Sequence, residues 1–394
     1  MALIRPSRRW RRPRPRTALL AAVPAAIALT LAAGCASGGS GGSAASASAA
    51  ATVSAPVLDT LTGAARTQTA ELIAQARQEG ELDWLATVVS TSKAQLIAAF
   101  KKEYGLPDLT VNFENQQTSN VTSRIQSEVT AQRVTTDLVA VDGAPTFFAS
   151  LKQAGALLNY SSPELSAYQG SQKYLSDDFG YWVSPDALMY LPVYNPKYWP
   201  AGVKSWYDLL NPKLKGKLSF PGVPTSASAV YTYYGMRKVL PLTYFKSLEN
   251  TAAPRVGVGN GSTAAQMAAQ GELTVAITAS HNVAAISKEL GVPMDVAFPK
   301  EGSVVIGWSF GILAGSQHPA AAKLFEDFML SKAAQQILIK YEYLTPARSD
   351  ISVPADLAKY APPTLQAAHA IPLNSAVSQD TLNQYRGEFE SVFK

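Results

Sequence analysis

Cysteine is nearly absent from this 394-residue chain: there is one, Cys35. An internal disulfide framework and a thiolate metal cluster are therefore excluded, and stability must come from a packed core. Histidine is almost as scarce, with three in the chain and none at a paired ligand spacing, so metal catalysis lacks its usual donors. The triplet Lys-Thr-Gly does not occur, which removes the partner that the S-x-x-K match at Ser90-Thr91-Ser92-Lys93 needs for nucleophilic chemistry. Gly307-Trp308-Ser309-Phe310-Gly311 spells G-x-S-x-G, but a nucleophile elbow needs strand, sharp turn and helix. Ser309 instead lies inside a continuous strand-like run.

Residues 1–34 carry seven arginines and no acid, and include an apolar run from Ala18 to Ala33 that is too short to span a membrane. They read as a signal peptide. Leu31-Ala32-Ala33-Gly34-Cys35 matches a lipobox, which places the only thiol where an exported lipoprotein is acylated. The Arg8-Arg9 pair leaves Sec and twin-arginine export both open. Removing the leader takes the balance from 34 basic against 29 acidic residues to 27 against 29, a net charge of −2. The basicity belongs to the leader, and no argument for a nucleic-acid partner survives it. Residues 35–60 are then the lipidated cysteine and a Gly/Ser/Ala tether.

From Arg66 onward the chain alternates helix and strand. TAELIAQARQEG gives a helix ended by Gly80, followed by strand Leu82–Val89, helix Lys93–Tyr104, strand Leu109–Phe113, helix Val121–Arg133 and strand Asp137–Val141. This βαβαβ order predicts parallel strands with crossover helices, and ligands gathered at the carboxyl ends of the strands. Those ends are Ser90-Thr91-Ser92, Gln117-Thr118-Ser119-Asn120 and Asp142-Gly143-Ala144. Their hydroxyls and helix N-terminal amides suit a ligand, while Ser92 and Ser119 also read simply as N-caps.

A second set of strand ends follows. Thr225-Ser226 precedes a helix from Ala227, Val256 to Thr263 is a glycine-rich approach to another (Asn260-Gly261-Ser262), and Ser280-His281-Asn282 closes a strand. The approach is not a dinucleotide fingerprint, because Gly257-x-Gly259 is followed by Ser262; it suits an anion. Tyr181, Trp182 and Trp308 are candidate aromatic walls, with core packing as the equal alternative. Tyr233-Tyr234 lie on a helix, where packing is the expected role.

Two blocks resemble the extracellular solute-binding proteins of ABC importers, in the branch serving iron(III), thiamine, polyamines and phosphonates. One is the stretch from Tyr190 to Phe220, with Tyr194-Asn195, Trp206, Asp208-Leu209-Leu210, Pro212 and Lys215-Gly216-Lys217. The other comprises His318-Pro319, Phe325, Phe328, Gln335 and Thr345-Pro346-Ala347-Arg348. The resemblance implies a two-lobed α/β type II periplasmic-binding-protein fold, each lobe a mainly parallel sheet flanked by helices. Crossings are expected near Leu191 and Trp308, with residues 61–190 and 305–394 in the first lobe and 191–304 in the second.

It further implies a monomeric, lipid-anchored receptor on the outer face of the cell membrane, with no cofactor, that closes on a small solute and delivers it to a membrane permease. Residues expected at the ligand are Ser90, Thr91, Ser92, Asp142, Thr225, Ser226, Asn260, Gly261, Ser262, Ser280, His281 and Trp308, with Cys35 as the lipidation site. Helix N-termini and hydroxyls favour a small organic anion such as a phosphonate or phosphate ester. Ferric iron and polyamines are the alternatives within the fold. Iron-binding members place a Tyr-Tyr dyad where this chain has His281-Asn282-Val283, so the expected ligand set contains no metal. The alternative of a different class is a secreted lipoprotein serine hydrolase using Ser309 or Ser90.

Overall fold

The computed structural model describes residues 53–87, 91–143, 145–171, 180–220, 227–258, 261–283, 285, 290–361, 365, 369–373 and 377–393. Cys35, Ser90, Thr225, Ser226 and Asn260 lie outside the described residues. Residues 43–394 cluster as one compact unit.

The first half begins with α1 (Gly63–Glu79), β1 (Glu81–Ala86), α2 (Lys93–Glu103), β2 (Thr110–Asn115), α3 (Thr118–Thr130), β3 (Leu138–Asp142) and α4 (Pro145–Gln153). The expected order is present, with boundaries moved by up to three residues. Gly80 ends α1 with φ +72°, the left-handed conformation that glycine adopts without a Cβ penalty. β1 pairs parallel with both β2 and β3, as crossover helices require. The expected capping by Ser92 and Ser119 is not found. Ser92 occupies the N-cap of α2 but its side chain makes no capping bond, and Gln117 rather than Ser119 precedes α3.

β4 (Val183–Tyr194) is the long strand of the first crossing. Its first part pairs antiparallel with the later β9, and its last residues pair with β7. Pro185 and Pro192 cannot donate to a ladder, and both fall at register shifts in these pairings. Ser205 then caps a 3-10 turn over Trp206–Leu210, accepting from the Tyr207 amide while Asp208 reaches back to the Ser205 amide in a capping box.

The second half continues through β5 (Leu218–Phe220), α5 (Ala227–Arg237), α6 (Leu242–Ala252), β6 (Arg255–Val256), α7 (Gly261–Gln270), β7 (Val275–Ser280) and β8 (Asp295–Val296). β9 (Ser303–Ile312), buried at every position, is the return crossing. It is followed by α8 (Pro319–Leu330), α9 (Lys332–Glu342), β10 (Thr345–Pro346), β11 (Ala370–Pro372) and α10 (Gln379–Val392). The strand order is β2-β1-β3-β9-β4-β7-β5-β6, with β8 and β10 added on β4 and β11 on β9.

Two large cores hold the fold together, the first of them including the crossing strands. One gathers α1, α2, β1 and α8 around Trp84, Phe100, Phe325 and Phe328. The other gathers Trp206, Phe220, Tyr233 and Phe245. The closing helix joins the second: Leu382, Phe389 and Val392 pack with Phe220 and Tyr233, and α10 contacts α5 and α6. The expected grouping of 305–394 with 61–190 does not account for these contacts of α10. Phe389 and Phe393 meet an aromatic cluster that only α5, α6 and β5 provide.

Candidate functional site

β3, β9 and β4 bring Asp142, Trp308 and Asp186 into one row, since Asp142 opposes Trp308 and Trp308 opposes Asp186 in the ladders. Residues directly opposite point to the same face. Asp142, half-buried at the carboxyl end of β3, accepts a hydrogen bond from the Thr118 hydroxyl at 2.9 Å, and its amide donates to Thr87 Oγ1 at 3.2 Å. Thr87, Thr118 and Asp142 thus converge from the ends of β1 and β3 and the start of α3. On the far side, α7 starts at Gly261 against the end of β7; a Cβ on Gly261 would lie 3.3 Å from the Ala279 Cα. That close approach sets the first turn of α7, with Ser262 exposed, beside Ser280. Ser280 is half-buried and its hydroxyl donates to Asn282 Oδ1 at 2.5 Å.

Between these groups the two halves touch. Thr146, in the first turn of α4, is hydrogen bonded to the Tyr231 hydroxyl of α5 and donates to the Val377 carbonyl at 2.8 Å. Neither residue stood out in the sequence. Thr146 lies just after the Asp142-Gly143-Ala144 strand end, and Tyr231 is one apolar position in a helical repeat.

Four expected ligand contacts are corrected. Thr91 and Ser92 do not present their donors to a cleft: both amides and the Ser92 hydroxyl donate to Glu342 Oε1 at 2.8–3.0 Å, and the Thr91 hydroxyl donates to the Tyr341 carbonyl. A carboxylate from the end of α9 thus fills the anion position at the N-terminus of α2. His281 has no exposed surface. Its Nδ1 accepts from the Met189 amide at 3.1 Å, which fixes the tautomer, and Nε2–H donates to the Tyr343 carbonyl at 2.9 Å. Burial holds its pKa down to about 4, against the Tyr343 carbonyl that favours the proton, so the ring is neutral.

Trp308 is equally buried, T-shaped against Phe310 at 5.7 Å, and is a core residue rather than a wall. Trp182 is stacked 6.1 Å from Phe148 inside a third apolar cluster. Tyr233 is buried and donates to Glu388, while Tyr234 packs on Tyr385; both are packing residues, as expected. Ser309 lies in β9, paired with the Ser184 hydroxyl at 2.7 Å, and a Cβ on Gly311 would meet the Tyr181 carbonyl at 2.8 Å. The G-x-S-x-G match is thus strand packing.

Behind Trp308 lies a polar knot that the sequence did not signal. Asp186 is fully buried, and neither of its carboxyl oxygens has a hydrogen-bond partner among the described residues. Gln335 gives its Nε2 to the Met329 carbonyl at 3.1 Å and leaves Oε1 unpartnered. Burial pushes the Asp186 carboxyl well above the usual range, the nearby Gln335 amide working against this and Glu342 adding to it.

Among the described residues, Asp83, Asp137 and His318 form a grouping with metal-ligand chemistry within 4.8 Å. It belongs to the amino-terminal edge of the strands. Asp137 already accepts from the Asp83, Gln317 and His318 amides, the Ser316 hydroxyl and His318 Nδ1. With both oxygens engaged, Asp137 serves as a structural junction.

Residues 95–364 match the family of bacterial extracellular solute-binding proteins. The chain belongs to that family. It is 31% identical over 147 residues to an uncharacterized protein of Haemophilus influenzae, an alignment that takes in 35% of this chain and spans 40% of that relative. Among solved structures it is similar to iron-bound HitA from Pseudomonas aeruginosa, with a TM-score of 0.61 at 20% identity, covering 79% of this chain and 99% of that one. It is also similar to AfuA from Actinobacillus pleuropneumoniae with fructose 6-phosphate bound, with a TM-score of 0.58 at 19% identity, covering 79% and 98%. These likenesses establish the two-lobed periplasmic-binding-protein fold for this solute-binding protein. β9 and β4 lie side by side in the middle of its strand order.

Proposed function

We propose that this solute-binding protein is the substrate-binding component of an ABC importer, exported and lipid-anchored through Cys35, and that it closes on a hydroxylated organic anion of the phosphate-ester type. The observation that carries the ligand class is the unequal chemistry of the two sides. On the β3 side the helix N-termini are served by the protein's own carboxylates: Glu342 at α2, and Asp142 bonded to Thr118 at the first residue of α3. An anionic group has no place there, whereas ligand hydroxyls can donate to Asp142. On the β7 side the first turn of α7 carries exposed Ser262 with no acid in that turn, and accepts negative charge. The ligand then lies with its anion toward α7 and its hydroxyls toward Asp142.

Calorimetry with fructose 6-phosphate, a simple alkyl phosphonate and spermidine tests this order. Ser262→Asp keeps the helix start, since an acid there is favourable, yet sets like charge beside the anion. Repulsion of about 1–3 kcal/mol weakens binding by roughly 5- to 150-fold. Asp142→Asn should weaken fructose 6-phosphate more than the alkyl phosphonate, which has no hydroxyl chain to lose. Tighter binding of spermidine than of either anion refutes the ligand class.

A further inference from the structure

The loop after β7 and the start of α2 are joined by a path of buried hydrogen bonds and one peptide link, from Glu342 to Tyr343. It starts at the loop after β7. There the His281 amide donates to the Met189 carbonyl at 2.9 Å, while the Met189 amide donates to His281 Nδ1 at 3.1 Å, so backbone and ring together clasp one residue of the crossing strand β4. The opposite ring nitrogen donates to the Tyr343 carbonyl at 2.9 Å, with the Thr345 hydroxyl at 3.3 Å. Tyr343 is held at φ +55°, the left-handed conformation that costs a residue with a side chain. It ends α9, and the residue before it is Glu342, whose Oε1 takes the amides of Thr91 and Ser92 and the Ser92 hydroxyl. His281, Ser92, Thr345 and Glu342 are all buried, so water does not compete for these bonds.

We propose that His281 and Glu342 are positioning residues forming a strut through the hinge, which fixes the loop after β1 relative to the loop after β7. The proposal rests on the reading of the cleft given above for its use, but not for its existence. An imidazole suits the joint because it is rigid and presents an acceptor and a donor on opposite sides of one ring. Gln can reach one partner but cannot hold both in the same plane. The left-handed Tyr343 turn is where release would travel: without the ring holding its carbonyl, the turn relaxes and carries the Glu342 side chain with it.

The test needs no ligand. Amide hydrogen exchange is followed in the full chain and in His281→Gln at neutral pH. The strut requires that exchange at Thr91 and Ser92, across the hinge from the substitution, rise at least tenfold while unfolding remains cooperative. Faster exchange confined to Met189 and residues 343–345 overturns it, because that is the response of a local staple. Should His281→Gln fail to fold, Glu342→Gln reads the path in reverse: faster exchange at the His281 and Met189 amides supports the strut, and unchanged rates there overturn it. Fructose 6-phosphate binding supplies the functional arm, with an expected loss of at least tenfold in either variant. Absence of binding by the unaltered protein refutes the proposed ligand class instead, and the exchange rates still decide the strut.

Discussion

Acid should remove stability that His281 provides, and the size of the effect follows from its surroundings. The ring is fully buried with both nitrogens committed to backbone groups, and its pKa falls from 6.5 to about 4. Between these values the unfolded chain binds a proton that the folded chain refuses. Stability therefore falls as pH falls from about 6.5 to about 4, and levels off below. At 1.36 kcal/mol per pH unit the loss is about 3 kcal/mol.

Other groups work in the opposite sense. Burial raises Asp186, Glu326 and Asp327, the last to about 7, and these carboxyls lose stability as pH rises. His318, raised by Asp137 against its own burial, also stabilises below 6.5 and loses that contribution as pH climbs through its folded value. The raw pH profile therefore mixes signs, and the quantity to measure is a difference. Urea unfolding of the wild type and His281→Gln at pH 7.5, 5.5 and 4 should show the variant's deficit shrinking by about 3 kcal/mol across the series. A deficit that stays constant with pH would refute a neutral, doubly bonded histidine.

Further substitutions test the neighbouring features. Asp186→Asn replaces a buried carboxyl, whose raised pKa makes its ionisation costly, by a neutral amide, so urea unfolding at pH 8 should show a gain of about 1–3 kcal/mol that vanishes toward pH 4. Gly311→Ala forces a methyl within 2.8 Å of the Tyr181 carbonyl and should cost about 1–3 kcal/mol in the same assay, while Ser309→Ala beside it leaves ester hydrolysis at background. Tyr231→Phe removes the hydroxyl that meets Thr146 and should shift small-angle scattering toward a larger radius of gyration. Cys35→Ser should leave an uncleaved precursor or release the protein into the medium; a mature-sized protein still bound to membranes would exclude the lipid anchor.

The elements that follow from local chemistry were legible. Gly80 as a helix terminator depends only on neighbours in the chain, and it appears where the sequence puts it. The crossings were legible through the resemblance, and β4 and β9 run through Leu191 and Trp308. Of the expected contacts, Asp142 and Gly261 keep the strand-end and helix-start placement read for them from their neighbours in the chain. Ser92 and His281 failed for a common reason. Each has the chemistry of a ligand contact, and each found its partner far along the chain, in Glu342 and Tyr343. A hydroxyl before a helix looks the same in sequence whether it faces solvent or a carboxylate from a distant helix.

That shared failure is informative about the molecule. The N-terminus of α2 attracts negative charge whatever supplies it, and here the supply is covalent: Glu342 is held against it at 2.8–3.0 Å in a dry site. A ligand anion would have to displace that carboxylate, leaving it buried and unpaired at a cost of several kcal/mol. In the proposed site the side built from β1 and β3 would thereby be closed to anions, with Asp142 left to accept from donors. On the ligand class proposed above, selectivity would come from occupying the helix end at α2 with Glu342 and leaving the one at α7 for the solute.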